Sequence, residues 1–309
     1  MSKQRIQLSD HFTYSRLLRF VLPCIGTMLF TSIYGIVDGL CVSNFVGKTA
    51  FAAVNLIMPL PMLLGTIGFM LGTGGSAIVG ITLGEGDQKK ADRYFTLFLL
   101  AALVSVSVLA VLGIVFLRPI AVLLGAKGEL LDYAVRYGRI LMVSLPTFAL
   151  QNMFQSFFVT AEKPHLGFWF TVCAGCTNMV LDVLMVGIWG WGVEGAAIAT
   201  FISQLVGGVL PVFYFIDRSS SSRLHLCQTH FYGGVLRDAC INGSSELMTN
   251  LSMSLVNILY NYQLLRLAGE NGVAAYGVIM YAAFLFVAVF VGYAVGSAPI
   301  VSFHYGARN

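Results

Sequence analysis

The sequence predicts an all-α polytopic membrane protein, with a six-helix N-terminal lobe followed by the first two helices of a homologous second lobe. Three observations carry the prediction. Apolar residues make up 57% of the chain and its mean hydropathy is +0.82, against about half apolar in a soluble domain. Only 10% of residues are charged, where a soluble domain carries about a quarter. The apolar residues also gather in runs long enough to cross a hydrocarbon layer, which takes about 20 residues of helix.

Eight runs reach that length: 17–44, 51–83, 94–116, 137–160, 166–188, 193–215, 239–267 and 273–303. The first follows a polar tail, Met1 to Ser15, is too long for a secretory signal and has no small-residue cleavage site behind it, so it is expected to remain as a helix. The second contains Pro59 and Pro61 and the eighth contains Pro299, each removing a helix hydrogen bond and favouring a bend. Between the second and third lies the charged turn Gly84 to Arg93, read as a solvated loop. With the N-terminus in the cytoplasm, twelve Lys and Arg fall inside and six outside, as expected when cytoplasmic loops retain positive charge. Arg118, Lys127, Arg136 and Arg139 run against that bias. The expected location is the cell membrane, multi-pass, with membrane lipid as surroundings.

The net charge of +4 is spread through loops without a dense cluster, so nucleic acid is not an expected partner. Six cysteines fall mostly within spans, and no disulfide framework is expected. Cys173 and Cys176, beside Ala174 and Gly175, are expected to pack between helices. Gly47-Lys48-Thr49 resembles the end of a phosphate-binding loop, but the first glycine of that motif would fall at Val42, which excludes it.

Shifting the chain by 222 residues aligns Gly47 with Gly269, Met58 with Met280, Gly74 with Gly296 and Gly84 with Gly306; 14 of 64 positions from Cys24 to Asp87 match without a gap. Spans one and two therefore correspond to spans seven and eight, a parallel repeat of the kind from which secondary transporters are built. The expected organisation is an N-terminal lobe over 1–217, a cytoplasmic connector over 218–234 and a partial second lobe over 235–309. By the repeat, the second half stops about four helices short.

Asp38 and Asp182 are acids inside spans one and five, each about seven residues and so about 10 Å below the predicted outer end. An acid within a span is a functional-site candidate by default. Tyr34 stands four residues from Asp38, and Asn178 four from Asp182, placing each on its acid's helical face. Thr200 lies about seven residues into a descending helix that starts near Val193, and so at the same depth, with Ser203 and Gln204 continuing that face inward. Desolvation raises the pKa of a buried carboxylate and a nearby cation lowers it, so this set can hold a proton or a metal ion such as Na+ at Asp38, Asp182 and Asn178. No other cofactor is expected.

Through YGIVDG (Tyr34 to Gly39), GTGGSA (Gly72 to Ala77), NMVLD (Asn178 to Asp182) and GVEGAAIAT (Gly192 to Thr200), nearly the whole chain resembles the multidrug and toxic compound extrusion (MATE) transporters. The resemblance implies a six-plus-six fold, antiport of organic cations or drugs against H+ or Na+ by alternating access, and cation coupling at Asp38, Asn178, Asp182 and Thr200. It implies small amphipathic, cationic substrates, and a completed fold only with the C-terminal helices this chain lacks. Glu246 in GSSEL is similar to an acidic second-lobe position of some members.

Gln151, Asn152 and Gln155 on span four, with Asn250, Asn257 and Asn261 on span seven, are candidate cavity linings. Two rivals are weighed. A flippase for lipid-linked oligosaccharides would have a related bundle but a more basic cavity, whereas the intramembrane charges here are acidic. An intramembrane hydrolase would need Ser76 and His304 together with an orienting acid, and no such acid adjoins His304, so an enzyme is not expected.

Overall fold

A computed structural model describes the backbone of residues 7–46, 48–123, 126–217, 219 and 222–308; the side chains of 36, 38–44, 48, 49, 51, 52, 55 and most of 254–285 lie outside the description. Nine α-helices are seen among the described residues: α1 (Tyr14–Phe45), α2 (Lys48–Ile57), α3 (Pro59–Gly84), α4 (Gln88–Leu123), α5 (Glu129–Thr160), α6 (Pro164–Asp182), α7 (Gly192–Gly208), α8 (Leu210–Ile216) and α9 (Gly233–Gly306). A π-helical turn, Val183–Ile188, extends α6.

The second expected span is two helices, because Met58 ends α2 and Pro59 opens α3. A proline is accommodated at a first helical position, where its missing N–H would be unpaired anyway. The sixth run divides in the same way at Val209, before Pro211. By length and hydropathy, six described segments can cross a membrane: Tyr14–Gly35, Pro59–Gly84, Gln88–Leu123, Pro164–Ile188, Gly192–Ile216 and Phe286–Gly306. Of the expected eight, the runs 137–160 and 239–267 are not among them; part of the latter lies outside the described side chains, and in α5 Arg136, Arg139, Gln151, Asn152 and Gln155 lower the hydropathy. α5 is nonetheless the centre of the lobe, with most of its second half buried.

The last two expected spans form one helical stretch of 74 residues, α9, with no break at 268–272. Gly269 and Gly272 cost only about 1 kcal/mol each in a helix, and no proline lies between Pro211 and Pro299 to interrupt it. Even so, α9 doubles back. A Cβ on Gly74 would meet Ala239 O at 2.1 Å, and one on Gly84 would meet Phe303 O at 2.1 Å. Ala239 and Phe303 would be about 96 Å apart on a straight helix, whereas Gly74 and Gly84 are about 15 Å apart on α3. The two limbs on either side of the reversal are the two second-lobe elements that the repeat predicts.

Those limbs meet the first lobe through a seam with internal two-fold symmetry. Gly84 packs on Phe303 and Gly306 on Ile81, and the 222-residue shift carries one contact onto the other, since 84 + 222 = 306 and 81 + 222 = 303. Gly80 packs on Ser302, its own repeat mate, which places the pseudo-axis there. Gly243 against Met70 and Gly292 against Ile25 continue the seam. Every one of these contacts uses the N-terminal half of α1 or α3 from Met70 onward, toward the end of the bundle that carries the N-terminus. Beyond it, the described side chains of α9 from Leu251 to Leu267 are exposed.

At that same end lies the aromatic core. Phe95, Phe154, Phe157, Phe158 and Phe215 interlock, with Phe95 and Phe157 centroids 4.8 Å apart. The connector is docked and not a free linker: Leu224 is fully buried, and the Leu226 N–H donates to Phe215 O at 2.9 Å. Burying an apolar side chain contributes about 1.5–3 kcal/mol, enough to hold a polar segment in place. Leu100, Val104, Val108, Val111 and Val115 form the exposed apolar stripe of α4, suited to lipid.

Cys173 and Cys176 are exposed, so they do not pack between helices of this chain as expected. The intervening Ala174 and Gly175 face inward instead, because a step of one residue turns a helix by about 100°.

Candidate functional site

The site forms where α1, α6 and α7 meet. Gly26 packs on Phe168, Gly175 on Phe30 and Tyr34, and Gly187 on Phe45, so α1 and α6 run side by side in the same direction. A Cβ at Gly175 would stand 2.5 Å from Phe30, which is why a residue without a side chain is needed there. The pairing of Gly175 with Tyr34 and of Gly187 with Phe45 brings the α1 backbone at residue 38 level with 178–182 on α6. Asp38's side chain lies outside the described residues, as do those of Asn257 and Asn261.

Asp182 is fully buried and Asn178 is 2% exposed. Across to α7, Asn178 Nδ2 donates to Thr200 Oγ1 at 3.5 Å, and Ser203 Oγ donates to Ala174 O at 2.8 Å. Asn178, Asp182 and Thr200 are therefore brought together, with Tyr34 half-buried on the adjoining face of α1. Among the described residues Asn178 Oδ1 has no hydrogen-bond partner. A buried amide oxygen without a donor is costly, and a cation or a protonated group would satisfy it. Hard cations such as Na+ favour oxygen ligands, so the carboxylate, amide and hydroxyl oxygens are a suitable set.

The π-helical turn begins directly after Asp182. The Trp189 N–H reaches back to Leu184 O at 2.8 Å, and the Trp191 N–H to Met185 O at 2.9 Å. Such turns hold one more residue than an α-helical turn and recur at functional sites. The sequence reading missed it; an acid beside β-branched residues and a Gly187 was the available signal. Gly190 and Gly192 then take φ of 67° and 60°, conformations that residues with a Cβ seldom adopt, and so reverse the chain into α7.

A second polar group lies toward the N-terminal end. Gln151 and Gln155 line a cavity of about 20 Å³ with Thr27, Thr171, Phe158 and Val295, the last contributed by α9. That volume is close to what one water molecule needs. Asn152 Nδ2, Gln155 Oε1 and Gln204 Oε1 are buried without hydrogen-bond partners among the described residues. Asn152 and Gln204 are not among the cavity-lining residues. Glu246 is half-buried and Asn250 exposed on α9, and Asn250 Nδ2 donates to Glu246 O at 2.8 Å. Neither joins the cavity. Thr27, Thr171 and Val295 were not anticipated, since small residues in apolar runs carry no distinguishing pattern.

Ser76 Oγ donates to Thr73 O at 2.9 Å, and His304 stacks edge-on to Phe12 with centroids 6.4 Å apart. Both are engaged elsewhere than in a nucleophile–base pair. At the N-terminal end, Glu162 accepts from Arg223 Nη1 and, at 2.8 Å, from the Leu8 N–H. The Arg223 guanidinium lies 4.9 Å over the Phe303 ring. The α5–α6 turn, the N-terminal segment, the connector and α9 thus converge on one ion pair. Glu162 has φ of 61°, a strained conformation for a residue with a Cβ, retained here together with those contacts.

Comparison with known proteins agrees with this architecture. The Multidrug export protein MepA of Staphylococcus haemolyticus is 22% identical over 303 residues, covering 98% of this chain and 67% of the relative. That of Staphylococcus aureus is 22% identical over 298 residues, covering 96% and 65%. The chain thus spans about two thirds of the length of these relatives. A solved structure described as "Crystal structure of MATE in complex with MaL6" superposes with a TM-score of 0.93 at 24% identity, covering all of this chain and 68% of that one. Another, "Outward-facing conformation of a multidrug resistance MATE family transporter of the MOP superfamily", gives 0.92 at 23% identity, with the same coverage. At these identities the superpositions speak for the fold. The profile of one family, MatE, matches residues 23–184 and 247–309, most of the sequence, and by that match the chain belongs to the MatE family.

Proposed function

We propose that this chain is the transport unit, or the larger part of one, of a secondary active antiporter that exports small amphipathic cations or drugs in exchange for H+ or Na+. The observation that carries the reading is Asp182: a fully buried carboxyl at a π-helical turn, beside Asn178 and Thr200, on a helix alongside the α1 backbone that bears Asp38. Charging an acid there costs free energy unless a cation accompanies it, so occupancy and helix arrangement are coupled. Alternating access needs a bundle that opens at one end and then the other. The seam confined to the N-terminal end, with exposed α9 residues beyond it, suits a form open on the opposite side. The MepA relatives are described as multidrug export proteins, which supports drug-like cargo and transport in place of catalysis.

In this reading the N-terminus faces the cytoplasm and the protein sits in the cell membrane. Gln151, Gln155 and Asn152 line or adjoin the substrate path, and the cavity is closed by a complete second lobe. The test is fluorescent-cation efflux from vesicles under separately imposed pH and sodium gradients. The chain is assayed alone and as an extended version with a full second lobe. Efflux that follows either gradient supports the proposal; efflux from the extended form that is indifferent to both gradients contradicts it.

A further inference from the structure

Away from the buried acids, a pocket of about 480 Å³ opens between the first turns of α4 and the connector, lined by Lys89, Asp92, Arg93, His225, Cys227 and Gln228. Its volume lies in the range of small-ligand sites. Lys89 and Arg93 are four residues apart, on one face of α4, and like charges so placed repel. Neither forms an ion pair among the described residues. The acid of the pocket, Asp92, is already occupied: Oδ1 accepts the His225 N–H at 3.0 Å and Gln88 Nε2 at 3.2 Å. Those donors are neutral and leave the carboxylate charged, so the pocket sets two cations against one acid and is positive on balance.

Its walls are also held in place before any ligand arrives. Cys227 N–H donates to Thr96 Oγ1 at 3.1 Å and Thr229 Oγ1 donates to Arg93 O at 2.8 Å, which fasten the extended connector along α4. At about 1.5 Å per residue, α4 is about 54 Å long against a hydrocarbon layer of about 30 Å, so its first turns project into the headgroup region or beyond. A fastened, cationic, 480 Å³ recess at that level suits a phosphate group.

We propose that this pocket is a phosphate-binding site in which Lys89 and Arg93 neutralise the ligand and the connector forms the opposite wall. The ligand is a phosphodiester or phosphomonoester, supplied by an anionic lipid headgroup or by a soluble phosphate. Bound there, it ties the first lobe to the segment that leads into α9. The proposal is independent of the transport reading, because it uses none of the buried acids.

The experiment is thermal unfolding of the full chain in phosphatidylcholine nanodiscs, with phosphatidylglycerol added in one arm. In the other arm inorganic phosphate is titrated against chloride at equal ionic strength. In at least one arm the midpoint rises for the native chain and for Lys90→Gln, whose native ammonium stands 5.7 Å over the Tyr94 ring and not in the pocket. Lys89→Gln and Arg93→Gln each need about tenfold more ligand for the same rise, the loss expected for one charge-assisted hydrogen bond. A response to phosphatidylglycerol alone identifies the lipid, and one to phosphate alone the soluble anion. If neither arm moves the midpoint, or if both pocket variants respond as the native chain does, the site does not exist.

Discussion

Gly84 and Gly306 are repeat mates that face one another's neighbours across a single seam: Gly84 lies on Phe303, and Gly306 lies on Ile81. A Cβ at either position would come within 2.1 Å of a backbone carbonyl oxygen, which cannot move aside as a side chain can. Gly84→Ala and Gly306→Ala should therefore each force the lobes apart at this end. The expected cost is about 1–3 kcal/mol each, as for other overpacked contacts. The double variant should lose less than the sum, because both strain one interface. Thermal unfolding checks this, with Gly35→Ala as the control: an added Cβ there meets nothing within 4 Å, so only the helix-propensity gain of up to about 1 kcal/mol is expected.

Arg223 joins the connector to Glu162 and to Phe303 at once, in a setting where the two charged side chains are 28% and 14% exposed. Arg223→Gln leaves Glu162 with the Leu8 N–H but removes its cation, and should destabilise the chain by about 1–3 kcal/mol. Limited proteolysis should then cut the connector faster, while Arg237→Gln, an exposed pair of adjacent residues, should leave both readouts unchanged. Equal cleavage of the two variants would show that the ion pair does not hold the connector.

Asp217 lies outside the spans at the start of the connector, fully exposed. Hydrogen bonds from Ser219, first its hydroxyl and then its backbone N–H, hold the carboxyl below its ordinary 3.8. A lowered folded-state value means that the contribution of this local turn to stability is present above the unfolded value and is lost as pH falls through the folded one. Ser219→Ala should move the Asp217 titration back toward 3.8, read by carboxyl NMR of the labelled residue. An unmoved titration would assign the shift to something other than the hydroxyl.

Thr200→Val removes the hydroxyl that Asn178 Nδ2 reaches at 3.5 Å while nearly preserving volume. On the proposed function, half-maximal efflux should then require about tenfold more of the coupling ion, the effect of about 1.4 kcal/mol, with little change in maximal rate. A change in maximal rate alone would make Thr200 a packing residue.

The parts of this molecule that follow from periodicity and repetition were legible in the chain. Hydropathy identified most of the spanning runs, and the 222-residue offset paired Gly84 with Gly306, although only the structure shows that the two lie in one seam. Helix-face spacing placed Asn178 one turn from Asp182 and Thr200 at the depth of Asp182, whereas in the structure Thr200 meets Asn178. What stayed hidden depends on a change of helical register or on distant pairing. The π turn after Asp182 leaves no periodic trace, and the breaks at Met58 and Val209 divide runs that hydropathy reads as continuous. The meeting of Glu162 with Arg223 joins residues 61 positions apart in loops that composition marks only as polar. Cys173 and Cys176 show the same limit in reverse, since small size alone did not reveal which side of α6 they occupy.

The central claim is that a carboxyl sealed from water at residue 182 carries the coupling charge. Its most direct test is gradient-driven efflux in vesicles by the native sequence and by Asp182→Asn, each in the lobe-complete form and matched for membrane insertion. The account predicts that Asp182→Asn inserts and unfolds normally but no longer responds to an imposed pH or sodium gradient. Efflux by Asp182→Asn at the native rate, under the same gradient, would contradict it.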